Sequence, residues 1–275
     1  MGKESRIRRL QRLSARTAFA FFLCLASVFS GKAQSVDTLA FNGDHRINIV
    51  FAAEGYRKDE RSIFLKEAER LAGYFLKTPP FNEYSGSFNV FAVFTESEES
   101  GISPQGKNTF FKVRSENFGI ERLFIPEDIG LCHEFIGSII PECDFICLCV
   151  NTEEYGGGGG EITLVSRHPL AGEILVHELG HSIGGLGDEY WCSDDFLGEF
   201  PNMALEAGKA PWAGMPGTEV YPLKRPDGSI AAYIPCQTDN DSRYCRMARL
   251  GKEFCPVCNK AISEALKRLV GASGI

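Results

Sequence analysis

Residues 177–190 read HELGHSIGGLGDEY. The pattern His177-Glu178-x-x-His181 places two histidines four residues apart, with a glutamate directly after the first. On a helix, residues i and i+4 share a face, so both imidazoles point the same way. Neutral imidazole nitrogens suit Zn²⁺ at about 2.0–2.1 Å. Glu178 falls beside an open coordination position instead of on the metal. There it can take a proton from water whose pKa the ion lowers to about 7. The chemistry is hydrolysis of a carbonyl compound, with Glu178 first accepting the proton and then passing it to the leaving amine. The bare pattern also arises by chance on exposed helices. Here its neighbours Ile174, Leu175, Val176, Leu179 and Ile183 are apolar. A buried helix carrying two histidines and a glutamate without partners is costly, and a metal removes that cost.

The third protein ligand must come from beyond the helix. Gly184-Gly185 ends it and lets the chain reverse, because glycine tolerates positive φ. A ligand six residues after the second histidine, the metzincin-type spacing, falls on Gly187, which has no donor. Asp188 follows and is the preferred ligand; Glu189 is the runner-up. Tyr190 is read as a packing residue, with support of a ligand or an oxyanion as the other reading.

HELGHSIGGLGDEY resembles the signature of the IgA peptidase family of zinc metallopeptidases. NIVFAAEGY, PPFNEYSGSFNVFAVFTESEESGIS, FGIER, NTEEYGGGGG and FCPVC are similar to that family too, so the resemblance spans residues 47–269. It implies that His177, His181 and Asp188 bind zinc and that Glu178 is the catalytic base. It further implies a metzincin-like fold with a methionine turn beneath the zinc, for which Met247 in YCRMAR is suitably placed.

The elements around the motif read as α/β. Residues 46–56 (RINIVFAAEGY) form an expected buried strand. In the segment that follows, Ile63, Phe64, Ala68, Leu71, Ala72, Phe75 and Leu76 make one helical stripe, which TPPF ends. Residues 87–95 are a second strand, 96–117 an irregular loop, 129–140 a helix and 144–152 a third strand. EYGGGGG is read as a flexible strand connection, or a mobile rim over the site; no helix or Gly-Lys-Ser/Thr follows to make it a phosphate loop. Residues 161–168 are a fourth strand, expected at the sheet edge where an extended substrate could pair with it. The motif helix comes next, and residues 259–270 close the chain as an amphipathic helix. The expected fold is α/β (α+β): a twisted mixed β-sheet, an active-site helix, and a smaller irregular C-terminal lobe from about residue 186.

Residues 1–33 stand apart. Six basic residues against Glu4 precede the uncharged run TAFAFFLCLASVFS, and GKAQS follows. This is the layout of a secretory signal peptide, with cleavage expected after Ala33. The apolar run is shorter than the roughly 20 residues a membrane span needs. Residues 34–275 then form a single catalytic domain, secreted or periplasmic. They carry 22 basic and 35 acidic residues, a net charge near −13. That balance argues against nucleic acid or anionic membrane as partner. Nine cysteines remain. Export favours pairing, with at least one disulfide expected to involve Cys245, Cys255 or Cys258. A structural zinc at Cys236, Cys245, Cys255 and Cys258 is the alternative.

These residues point to a secreted zinc endopeptidase acting on polypeptide. Two other readings stand beside it: a zinc amidase acting on cell-wall or modified amides, and a binding protein that keeps zinc without turnover. The intact Glu178 argues against the last.

Overall fold

The computed structural model of the chain describes residues 34–117, 119–235 and 244–273. The expected signal peptide and Cys236 lie outside the described residues. Residues 34–275 make up one compact unit.

A six-stranded mixed sheet forms its centre. The strands are β1 (Gln34–Ala40), β2 (Ile47–Glu54), β3 (Phe88–Thr95), β4 (Cys143–Val150), β5 (Gly157–Gly158) and β6 (Thr163–Val165), in the spatial order β1-β3-β2-β4-β6-β5. The four inner strands β3, β2, β4 and β6 run parallel, and β1 and β5 add antiparallel edges. Parallel strands are covered on both faces, so they read as continuous apolar runs. All eight residues of β2 are buried. Ile47, Ile49, Phe51 and Ala53 enter the main core, while Val50 and Ala52, equally buried, alternate with them.

Helix α1 (Arg61–Phe75) buries Phe64, Ala68, Leu71, Ala72 and Phe75 of the expected stripe, while Ile63 is exposed and Leu76 lies just past the helix end. Helix α2 (Ile129–Ile139) begins where the Asp128 carboxylate accepts from the Leu131 amide at 3.0 Å. Helix α3 (Ala171–Ser182) packs on β6, β5 and α1, and almost every residue from Ala171 to Gly180 is buried. Beyond it, β7 (Tyr221–Lys224) and β8 (Ile230–Ile234) pair as a hairpin over a small core of Met203, Leu223, Ala231, Ala232 and Ile234. Helix α4 (Pro256–Ser273) packs against β2 and the segment 81–87. Among the described residues, no helix is long and apolar enough to cross a membrane.

Two expectations need correction. The strand expected over 161–168 is only Thr163–Val165, and it is not an edge: β4 and β5 flank it. The glycine run is not simply a loose connection, because Gly157 and Gly158 form β5. The outer side of β5 is taken as well, since Gly157 donates to the Arg122 carbonyl at 3.0 Å and accepts from the Phe124 amide at 2.9 Å. The expected pairing of substrate along 161–168 is therefore blocked. In addition, α4 starts three residues before the expected 259.

Candidate metal centre

Helix α3 carries His177, Glu178 and His181, and the two imidazoles share a face as the spacing predicts. The helix stops in a reversal. Gly185 adopts φ +62°, its amide donates to the His181 carbonyl at 3.0 Å, and the Leu186 amide donates to the Gly180 carbonyl at 3.2 Å. The Gly185 bond is that of an αL C-cap, a conformation open to few residues besides glycine. It turns the chain back over the helix face and brings in Asp188. Buried Asn202 holds the returning segment: its amide group accepts from Gly187 N and donates to Gly187 O, each at 2.8 Å.

The donor atoms converge. Asp188 Oδ1 lies 3.1 Å from His177 Nε2 and 3.4 Å from His181 Nε2, and the two Nε2 atoms are 3.3 Å apart. Three ligands about 2.0–2.1 Å from a tetrahedral ion would sit about 3.3 Å from one another. The other ring nitrogens decide the tautomers. His177 Nδ1 faces the Arg246 carbonyl at 3.1 Å, and His181 Nδ1 faces the Leu186 carbonyl at 2.7 Å. A carbonyl only accepts, so each neutral ring keeps its proton on Nδ1 and turns a lone pair inward. Asp188 Oδ1 is thus buried without a hydrogen bond although two nitrogens lie close to it. Two imidazole lone pairs and a carboxylate oxygen directed at one point fit a metal cation.

Without a metal, a proton takes on that role. Burial acts to lower the His181 pKa, but the hydrogen bond and charge of Asp188 outweigh it and raise the value to about 9. Burial likewise opposes ionisation of Asp188, yet the neighbouring His177 and His181 rings hold its carboxyl well below the usual range.

Glu178 stands beside the three donors. Its carboxylate lies within 4.8 Å of the imidazole donors. Burial raises its pKa, the direction that helps a carboxylate act as base near neutral pH. Gly159 explains part of the glycine run: a Cβ there would come 2.3 Å from Glu178 Oε2. The glycines leave room for that carboxylate. A cleft of about 590 Å³ opens over the centre, lined by Arg122, Gly157–Gly160, Tyr190 and Arg249 among others. Tyr190 faces this cleft instead of merely packing, with the Arg122 guanidinium 6.0 Å from its ring centre. Burial raises the pKa of its hydroxyl, which remains a proton donor at neutral pH.

The model of the IgA peptidase M64 family matches residues 38–213. The chain belongs to this family. No curated protein matches it. Membership in IgA peptidase M64 makes the chain a hydrolase of the metallopeptidase type, with polypeptide as substrate.

Several residues around the M64 centre were invisible to motif reading. Glu173, four residues before His177, pairs with Arg246, bonds the Tyr74 hydroxyl, and accepts from the Gly251 amide at 3.0 Å. Arg246 in turn presents the carbonyl that orients His177. These contacts join positions about 70 to 100 residues apart, so only a charged residue on an otherwise buried helix face signalled them. Glu189, the runner-up ligand, points the other way. It is fully buried, with Oε1 taking a hydrogen bond from Asn202 at 3.0 Å. Met247 is also buried, and a Cβ at Gly180 would lie 2.8 Å from its sulfur, so it supports the helix between the two histidines.

Proposed function

We propose that this M64 chain is a zinc-dependent endopeptidase. His177, His181 and Asp188 would hold the ion, and Glu178 would act as general base. The observation that carries the reading is the triangle of inward lone pairs, 3.1 to 3.4 Å on each side, with Glu178 alongside. Zinc in such a set supplies Lewis acidity and brings the pKa of water to about 7. Glu178 accepts the proton of the attacking water and returns it to the leaving amine. The Arg246 and Leu186 carbonyls keep the imidazole rings in the binding tautomer. Tyr190 donates its hydroxyl into the cleft, where charge develops on the carbonyl oxygen. Residues 1–33 support export, and peptide sequencing of the exported protein is expected to begin at Gln34. An N-terminus at Met1 would end the export reading.

Purified protein supplied with zinc and a random peptide mixture should produce internal cuts that mass spectrometry can map. Glu178→Gln keeps the shape but cannot accept the proton. Its zinc content should match the native protein while hydrolysis falls by roughly two to four orders of magnitude. Loss of zinc in that variant would make Glu178 a ligand. Cleavage of cell-wall amides with peptides left untouched would turn the reading to an amidase.

A further inference from the structure

Behind the described centre lies a second cluster that the peptidase chemistry does not use. Sγ atoms of Cys245, Cys255 and Cys258 and a carboxylate oxygen of Glu189 all lie within 4.8 Å of one another. All four residues are buried, Cys245, Cys258 and Glu189 completely. Cys258 Sγ is 3.6 Å from Cys245 Sγ and 3.1 Å from Glu189 Oε1. The sulfur separation is far beyond a disulfide bond of about 2.05 Å. It is close to the spacing of about 3.7 Å expected for two thiolates held about 2.3 Å from one tetrahedral ion. The Cys255 amide points at Cys245 Sγ at 3.3 Å, a contact that favours the thiolate. Glu189 Oε2 has no hydrogen-bond partner although it is fully buried. An orphaned carboxylate oxygen beside three sulfurs calls for a positive partner.

We propose that Cys245, Cys255, Cys258 and Glu189 bind a second, structural metal ion, a thiophilic divalent cation of the zinc class. Three sulfurs and one oxygen in a closed, buried set suit such an ion, and Cys255-x-x-Cys258 has the short Cys-x-x-Cys spacing that sulfur-ligated zinc favours. Among the described residues, Glu189 supplies the fourth donor. The cluster also has a position that matters. Glu189 directly follows Asp188, and its amide donates to the Met247 carbonyl at 2.9 Å. Cys245 directly precedes Arg246, whose carbonyl orients His177. One ion would therefore tie together the start of α4 and the two segments that flank the first centre. These cysteines lie beyond the 38–213 family match. The assignment stands on its own geometry and does not need the peptidase reading.

The test uses the purified full-length chain and elemental analysis. Two ions per chain are expected. His177→Ala/His181→Ala should keep one, and Cys258→Ser should lose one. Protein produced in cobalt-supplemented minimal medium gives a readout independent of variant folding. The native protein should show thiolate-to-cobalt charge-transfer absorption, which a site of two histidines and an aspartate cannot produce. The band should persist in His177→Ala and vanish in Cys258→Ser. A single ion in the native protein with no such band overturns the proposal. So does a disulfide between any two of the three cysteines in peptide mapping. Failure of the first centre would read differently: both ions would survive loss of the histidines.

Discussion

At the scale of single residues, the centre works through lone-pair direction. The two imidazoles are useful to a cation because carbonyls at Arg246 and Leu186 occupy their Nδ1 positions. This makes metal binding a competition with a proton. In the metal-free chain His181 keeps its proton up to about pH 9, against an ordinary value of 6.5. A raised histidine contributes stability that is fully present below about pH 6.5 and is lost as pH rises through 9. Binding must expel that proton, so affinity should climb about tenfold per pH unit between 6.5 and 9 and level off above it. Asp188 adds the opposite edge, because its depressed carboxyl contributes stability above pH 3.8 that falls away in acid. Chelator competition from pH 6 to 9.5 checks the His181 sign, and melting of the metal-free protein carried below pH 3.8 checks the Asp188 sign. A flat affinity across that window would mean that His181 carries no proton in the metal-free chain. The sequence made His177, Glu178 and His181 legible because a helical period of 3.6 fixes their relative directions without help. The carboxylates were harder. Asp188 and Glu189 are neighbours of the same chemistry, and a glycine turn does not say which side chain faces back. The fold decides it by burying Glu189 against Asn202 and three cysteines.

At the scale of elements, legibility followed side-chain patterning. Strands β2, β3 and β4 and helices α1 and α2 appeared within a few residues of their observed limits, since apolar runs and stripes mark what they bury. Strand β5 did not appear. Glycine has low strand propensity, and no side chain marks its face. Its pairing is set from outside, by Leu164 and Val165 on one side and the 122–124 segment on the other. What the glycines provide is closeness: β5 and Gly159 run against α3 at a distance that a Cβ would prevent. Gly159→Ala should therefore press on Glu178 Oε2, the atom 2.3 Å away. Of His177, His181 and Asp188, only the His181 ring edge, 3.3 Å off, is among the first contacts of that Cβ. Turnover should drop by about tenfold or more, as expected for a displaced base, with metal content close to native. A variant with native turnover would show that the carboxylate can shift without loss, and that closeness here is only a packing matter.

At the scale of the whole molecule, charge opposes one class of substrate. Residues 34–275 carry a net charge near −13, so the field around the chain repels acidic peptides before any contact is made. The cleft itself is less one-sided, because Arg122 and Arg249 line it together with Glu178 and Asp188. Long-range and local effects thus favour opposite peptides, and salt separates them. The Debye length falls from about 30 Å at 0.01 M to about 3 Å at 1 M, so salt removes the distant field while contacts inside the cleft persist. A basic and an acidic peptide sharing one scissile sequence should differ in kcat/KM by about tenfold or more at low salt, with the basic one faster. The ratio should approach one as salt rises. The change should come from the association step, leaving kcat for each peptide nearly constant. A preference for the acidic peptide at every salt concentration would place selection in Arg122 and Arg249, and the overall charge of the chain would then have no part in choosing substrate.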